Sequence, residues 1–180
     1  MGAVDTCLCM GASIGMAGGL ARTPLANGET TVVATIGDST FYHAGVPALI
    51  NAVHTHTPFV LMIMDNSLAA MTGGQPTPAN DFLADGSPGV AISLERVISG
   101  CGVDFLEVVD PYDHASTQEA LQRAKDYTFN ENKGVAVVIT RRPCVRAPNV
   151  KLSSAKFRVG DGCDLCMTCV KDLECPAFHL

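Results

Sequence analysis

Asp38 and Asn66 are the residues whose types and spacing first suggest chemistry. Asp38 lies in Gly37-Asp38-Ser39, directly after the β-branched run Thr30 to Ile36 (TTVVATI). Asn66 follows the apolar run Phe59 to Met64 (FVLMIM), and 26 residues separate it from Ser39. If the two runs are parallel neighbours in one sheet, both polar residues emerge at the same edge. A carboxylate oxygen and an amide oxygen are hard donors, suited to Mg²⁺ or Ca²⁺. The backbone carbonyl of Leu68, in the turn beyond, is a candidate third ligand. Mg²⁺ held by few protein groups completes its shell with phosphate and water, so the expected partner is a phosphorylated ligand.

A second group is built from sulfur. Cys163-x2-Cys166-x2-Cys169, then Cys175-Pro176, has the form of a bacterial ferredoxin run, in which closely spaced thiolates wrap one 4Fe–4S cubane. The gap before the last Cys is five residues, Val170 to Glu174, where three are usual. A zinc ribbon would need a second C-x2-C pair at long spacing, and the sequence has none. Cys7, Cys9, Cys101 and Cys144 stand apart from this run. The first two read as small buried residues and the others as core or loop positions.

The elements that must position these groups alternate between strand and helix signals. Strands are expected at Thr30 to Ile36, Phe59 to Met64, Phe105 to Val109 and Gly134 to Thr140. The second of these, a continuous apolar run, reads as buried on both faces. Helices are expected at Ala44 to Val53, with Pro47 in the first turn, at Ser93 to Ser99, with Ser93 as N-cap, and at His114 to Phe129. This alternation predicts an α/β domain with a mainly parallel sheet flanked by helices, and ligands beyond the carboxyl ends of the strands. A body over residues 1–142 carries the sheet. A linker with Pro143 and Pro148 runs over 143–160, with a short strand at Lys156 to Val159, and the Cys-rich segment fills 161–180.

Composition narrows the function classes. With 180 residues, 47% hydrophobic and 17% charged, the chain suits one compact domain and a short appendage. Twelve basic against 18 acidic residues, a net charge of -6, argue against a nucleic-acid-binding surface. No apolar run reaches the length of a membrane span, and the N-terminus lacks a signal-peptide pattern. Eight Cys without a secretion signal point to reduced thiols or metal ligands and a cytoplasmic setting.

Gly37-Asp38-Ser39 with Asp65-Asn66 resembles the thiamine diphosphate signature, Gly-Asp-Gly, a spacer and Asn-Asn. The two departures leave Asp38 and Asn66 intact. CLCMGASIGMAGG (Cys7 to Gly19), IGDSTFYHAG, AMTGGQPTP, VVDPYD and RRPC all resemble segments of 2-oxoacid:ferredoxin oxidoreductases. The similarity covers nearly the whole chain and points to the α subunit of the indolepyruvate branch, in its C-terminal half.

That resemblance implies thiamine diphosphate and Mg²⁺ bound to the body. Cys9, Gly11, Ala12, Ser13, Gly37, Asp38, Ser39, Thr40, Asn66, Met71 and Thr72 would contact the cofactor. Asp38, Asn66 and the Leu68 carbonyl would hold Mg²⁺. The glycines after Cys9 would open a helix whose N–H groups and dipole take the diphosphate. Gly18 and Gly19 read instead as close packing of helix on sheet, and Thr72-Gly73-Gly74 would let backbone and hydroxyl approach the ligand. His43 would be a catalytic or substrate-contacting residue; His54 and His56 read as structural. The implied reaction is oxidative decarboxylation of an aryl 2-oxoacid to an acyl-coenzyme A, with electrons passing through iron–sulfur clusters to ferredoxin. Implied partners are a pyrimidine-binding domain or subunit, a second (β) subunit, ferredoxin, coenzyme A and the 2-oxoacid. The chain then reads as part of a longer subunit, with Cys175 ligating a second cluster. The alternatives are a pyruvate or 2-oxoglutarate ferredoxin oxidoreductase component and a non-catalytic iron–sulfur or metal-binding module.

Overall fold

The computed structural model describes residues 4–24, 30–129, 134–145, 147, 150 and 159–172. They fall into two compact units, Leu8–Val150 and Met1–Cys7 with Lys151–Leu180. The larger unit runs α1 (Ser13–Leu20), β1 (Val33–Gly37), α2 (Asp38–Thr40), a π-helical turn (Phe41–Gly45), α3 (Val46–His54), β2 (Val60–Asp65), a 3-10 turn (Ala70–Thr72), α4 (Leu94–Gly100), β3 (Phe105–Val109), α5 (His114–Phe129) and β4 (Ala136–Arg141). The smaller unit contains α6 (Thr168–Lys171).

The four strands form one parallel sheet in the order β1-β2-β4-β3. Central β4 is apolar along both faces: Val137 and Ile139 pack with α1, α3 and α4, while Ala136 and Val138 pack with α5. Handedness explains this unequal cover. Parallel crossovers are right-handed, so connections that run in opposite directions along the sheet lie on opposite faces. Only β3 to β4 runs backwards, so α5 has its face to itself. It packs on β4, β3 and part of β2.

Among the described residues no helix covers the rest of that face, which differs from the expectation that FVLMIM is buried on both sides. Met62 is half-buried and Met64 is exposed. With Val33, Val60 and Leu121, Met62 lines a groove of about 480 Å³.

β1 enters a helix without a loop. Helical structure starts at Asp38, earlier than the expected Ala44, and a π-helical turn leads into α3. Single π turns inside helices are frequent at functional sites. Gly45 ends the widened turn because there is no room for a side chain. A Cβ there would lie 2.7 Å from Phe41 Cδ2 and 3.3 Å from both Ile14 Cδ1 and Ile36 Cδ1. Gly45→Ala is expected to cost about 1–3 kcal/mol by overpacking this junction. Thermal unfolding measures it, and an unchanged midpoint would contradict the packing account.

The other elements lie close to their expected places. Ser93 caps α4, its Oγ accepting the Arg96 N–H at 3.2 Å. Pro47 occupies the first turn of α3. Of the expected strand Lys156 to Val159, residues 156–158 lie outside the described residues. In the smaller unit Leu165 and Met167 are left-handed, with φ of 56° and 67°. Cys166 sits between them, its N–H donating to Asp164 Oδ1 at 3.1 Å.

Candidate functional site

Register decides where the polar residues stand. Gly37 pairs with Met64 across β1 and β2, so Asp38 and Asp65-Asn66 leave adjacent strands at the same carboxyl edge. Asp38 is only 3% exposed. Its Oδ2 accepts the Ser67 N–H at 3.0 Å, and the same N–H reaches Asp65 Oδ1 at 3.1 Å. Ser67 turns its N–H back between the carboxylates by adopting a left-handed conformation, φ 61°. Asn66 Oδ1 accepts the Leu68 N–H at 3.0 Å, which closes the turn and leaves the second lone pair of that oxygen for a ligand.

The end of β4 clamps this turn from the other side. The Arg142 N–H donates to the Asp65 carbonyl and the Cys144 N–H to the Asn66 carbonyl, each at 3.0 Å. Arg141 Nε meets Asp65 Oδ2 and its second arm meets Glu95 Oε1, both at 2.6 Å. Tyr42, on the π-helical turn, donates to the Ile92 carbonyl at 2.7 Å and ties that turn to the segment before α4.

Burial dominates the electrostatics. It pushes the Asp38 carboxyl up to about 6, with the charge of Asp65 adding to the rise and the Ser39 and Ser67 N–H groups opposing it. Glu95 is held down to about 2, chiefly by its hydrogen bond from Arg141. Burial, then the charges of Asp65 and Asp38, lift the Tyr42 phenol to about 12. A carboxyl raised in the folded state favours folding at low pH. The ion-free fold therefore loses stability as pH rises from about 4 through 6, by about 3 kcal/mol at most.

The segment before α1 abuts this edge. Gly11 has φ 89°, and a Cβ on it would lie 2.8 Å from Ala44 Cβ and 3.8 Å from Thr40 Cγ2. Ala12 follows as the N-cap of α1, and Ser13 Oγ is buried without a hydrogen-bond partner. An orphaned hydroxyl at the start of a helix whose leading segment abuts the edge that carries the buried Asp38 carboxylate fits a phosphate–cation pair. Gly11→Ala is expected to weaken diphosphate binding about tenfold, since left-handed strain of roughly 1–2 kcal/mol and the Ala44 contact displace this segment. Calorimetric titration measures it, and parental affinity would remove the role given to Gly11.

The structure thus brings Gly11, Gly37, Asp38, Ser39, Thr40 and Asn66 to one end of the sheet. The other candidates are placed differently. Met71 and Thr72 are exposed on the 3-10 turn, where Thr72 Oγ1 donates to Gln75 Oε1 at 2.6 Å. His43 is exposed on the π-helical turn, and its side chain makes no hydrogen bond or ion pair among the described residues. Cys7 and Cys9 are exposed, contrary to the expectation of burial, because they precede α1 in a segment without regular structure. Cys101 and Cys144 are half-buried, as is Cys169, whereas Cys163 and Cys166 are exposed. Cys175 lies outside the described residues. Among the described residues no three Cys, His, Asp or Glu side chains converge as an ion-binding group.

Sequence reasoning missed Ser67, Glu95, Arg141 and the part played by Asp65. One signal was available: an Asp where the resembling pattern has an amide adds a charge, which burial requires a cation to offset.

Comparison with known proteins bears on this geometry. Residues 3–140 match the family described as "Thiamine pyrophosphate enzyme, C-terminal TPP binding domain". Indolepyruvate oxidoreductase subunit IorA of Archaeoglobus fulgidus is 46% identical over 179 residues, covering 97% of this chain and 27% of its own length. The subunit of that name from Methanothermobacter thermautotrophicus is 42% identical over 176 residues, covering 98% and 27%. The chain therefore spans about a quarter of the length of these relatives. Among solved structures, 2-oxoglutarate:ferredoxin oxidoreductase from Magnetococcus marinus shares the fold, with a TM-score of 0.61 over 74% of this chain and 45% of that one at 16% identity. That family match spans well over half of the chain, and the chain belongs to the thiamine pyrophosphate enzymes through their C-terminal TPP binding domain.

Proposed function

We propose that this chain is the cofactor-binding part of an indolepyruvate-type 2-oxoacid:ferredoxin oxidoreductase, holding thiamine diphosphate through Mg²⁺. The names of its relatives support the reaction class. The observation that carries the site is Asp38: a carboxylate 3% exposed, beside a second carboxylate, with no cationic side chain bonded to it among the described residues. A divalent ion supplies the missing positive charge.

Asp38 and Asn66 offer oxygen ligands, and the Leu68 carbonyl completes the protein's share. Gly11, Ala12 and Ser13 take the diphosphate with N–H groups and the Ser13 hydroxyl. Ser39 and Thr40, half-buried on α2, and Cys9, Met71 and Thr72, more exposed, line the remainder of the bound cofactor. His43, exposed on the π-helical turn, faces outward as a substrate contact. When bound, thiamine diphosphate supplies the nucleophilic carbon that adds to the 2-oxoacid carbonyl and stores the electrons left behind by CO₂. Cys163, Cys166 and Cys169 would hold a 4Fe–4S cluster, which would supply one-electron transfer towards ferredoxin, and coenzyme A would accept the acyl group. A pyrimidine-binding domain and a β subunit complete the enzyme.

No helix among the described residues is long and apolar enough to cross a membrane. A cytoplasmic setting belongs to the same reading. The test is calorimetric titration of the chain with thiamine diphosphate with and without Mg²⁺, then ferredoxin reduction by the full-length enzyme with indolepyruvate, pyruvate and 2-oxoglutarate. Mg²⁺-dependent binding and preference for indolepyruvate are expected. Binding without any effect of Mg²⁺ would refute the metal site, and preference for either other acid would reassign the substrate.

A further inference from the structure

We propose that Arg141 keeps Asp65 out of the metal shell, so that a divalent ion at this edge meets one carboxylate, Asp38, and keeps its other positions for phosphate. The inference rests on the reading that Asp38 carries the ion. Asp65 is well placed to be a second ligand. It is the neighbour of Asn66, it is 5% exposed, and it shares the Ser67 N–H with Asp38. Every oxygen of its side chain is occupied instead. Oδ1 takes the Ser67 N–H and the Ser67 hydroxyl at 3.1 and 3.3 Å, and Oδ2 takes Arg141 Nε at 2.6 Å.

Arg141 is itself held in place. Its other arm meets Glu95 Oε1 at 2.6 Å, and Ser93 at the head of α4 donates its hydroxyl to Glu95 Oε2 at 3.0 Å. The planar guanidinium is fixed between two carboxylates from two different elements, a geometry that Lys cannot reproduce. Charge gives this clamp a purpose. Two carboxylates neutralise a divalent ion and weaken its pull on a diphosphate, whereas one leaves net positive charge. Ca²⁺ accepts extra carboxylate oxygens in a flexible shell, while Mg²⁺ demands a near-octahedral one shared with phosphate and water. Arg141 is a positioning residue in this scheme and touches neither cofactor nor substrate.

Calorimetry on the folded chain tests it, with Ca²⁺ alone and with thiamine diphosphate plus Mg²⁺. Arg141→Met is expected to tighten Ca²⁺ binding about tenfold and to weaken Mg²⁺-dependent diphosphate binding about tenfold, because it frees Asp65 Oδ2. The double variant Asp65→Asn with Arg141→Met has no second carboxylate to release and should return both values towards the parent. Parental values in Arg141→Met overturn the proposal, and so does a double variant that still behaves as the single one. Should Arg141→Met fail to fold, Glu95→Gln loosens Arg141 without emptying its place and must shift both values in the same directions; unchanged values overturn the proposal. Asp38→Asn keeps the two readings apart. Retained Mg²⁺-dependent binding in Asp38→Asn refutes the metal site itself, whereas its loss beside an unchanged Arg141→Met variant refutes only the role of Arg141.

Discussion

Asp38→Asn is expected to make the ion-free chain more stable and to leave it unable to bind thiamine diphosphate through Mg²⁺. The two effects have one cause. Asp38 is 3% exposed and its carboxyl is pushed up to about 6 by burial and by Asp65, so at pH 8 the ion-free fold carries an unwelcome charge. Asn keeps the shape and one oxygen and removes the charge. The sign follows from the raised value: the parent loses stability as pH climbs from about 4 through 6, and the variant lacks that loss. Its advantage at pH 8 is at most about 3 kcal/mol. The cofactor should respond oppositely, with affinity falling by two orders of magnitude or more once the charged ligand proposed for the ion is gone. Thermal unfolding between pH 4 and pH 8, paired with calorimetric titration, reads both. A variant that is less stable than the parent at pH 8 would show that Asp38 serves the fold, and one that binds as the parent does would show that it does not serve the ion.

Most of what positions Asp38 was legible in the chain. TTVVATI and FVLMIM mark parallel strands because continuous apolar runs suit a buried sheet, and the residue after each run must stand at the carboxyl edge. Phe105–Val109 and His114–Phe129 coincide with their expected bounds, since Asp110-Pro111 and a 16-residue amphipathic pattern leave little choice. The partial exposure of Met62 and Met64 among the described residues was not legible. A local pattern cannot say how many crossovers run backwards along the sheet, and that count decides which strands a helix covers. The π-helical turn escaped for another reason. It depends on Gly45 fitting against Phe41, Ile14 and Ile36, two of which are distant in sequence. The Asp65–Arg141–Glu95 cluster joins residues separated by 76 and 46 positions, beyond the reach of periodicity.

The second large effect is expected in the Cys-rich segment of the full-length enzyme. Cys166→Ser should remove most of the iron that anaerobic reconstitution with iron and sulfide loads onto the parent. Cys166 is the middle member of a C-x2-C-x2-C run and lies between two left-handed residues, Leu165 and Met167. The three thiolates do not already converge among the described residues, so a cluster would have to draw them around itself as it loads. A Ser hydroxyl is a hard and weakly acidic ligand, and iron–sulfur clusters select soft thiolates. If the proposed route through the cluster holds, ferredoxin reduction should fall by orders of magnitude. Binding of thiamine diphosphate should stay at the parental level, because Cys166 is not among the residues proposed to hold that cofactor. Iron analysis, electron paramagnetic resonance and calorimetry separate these outcomes. Tight stoichiometric zinc with no iron uptake in the parent would overturn the cluster assignment. Full ferredoxin reduction by Cys166→Ser would show that the electrons leave by another route.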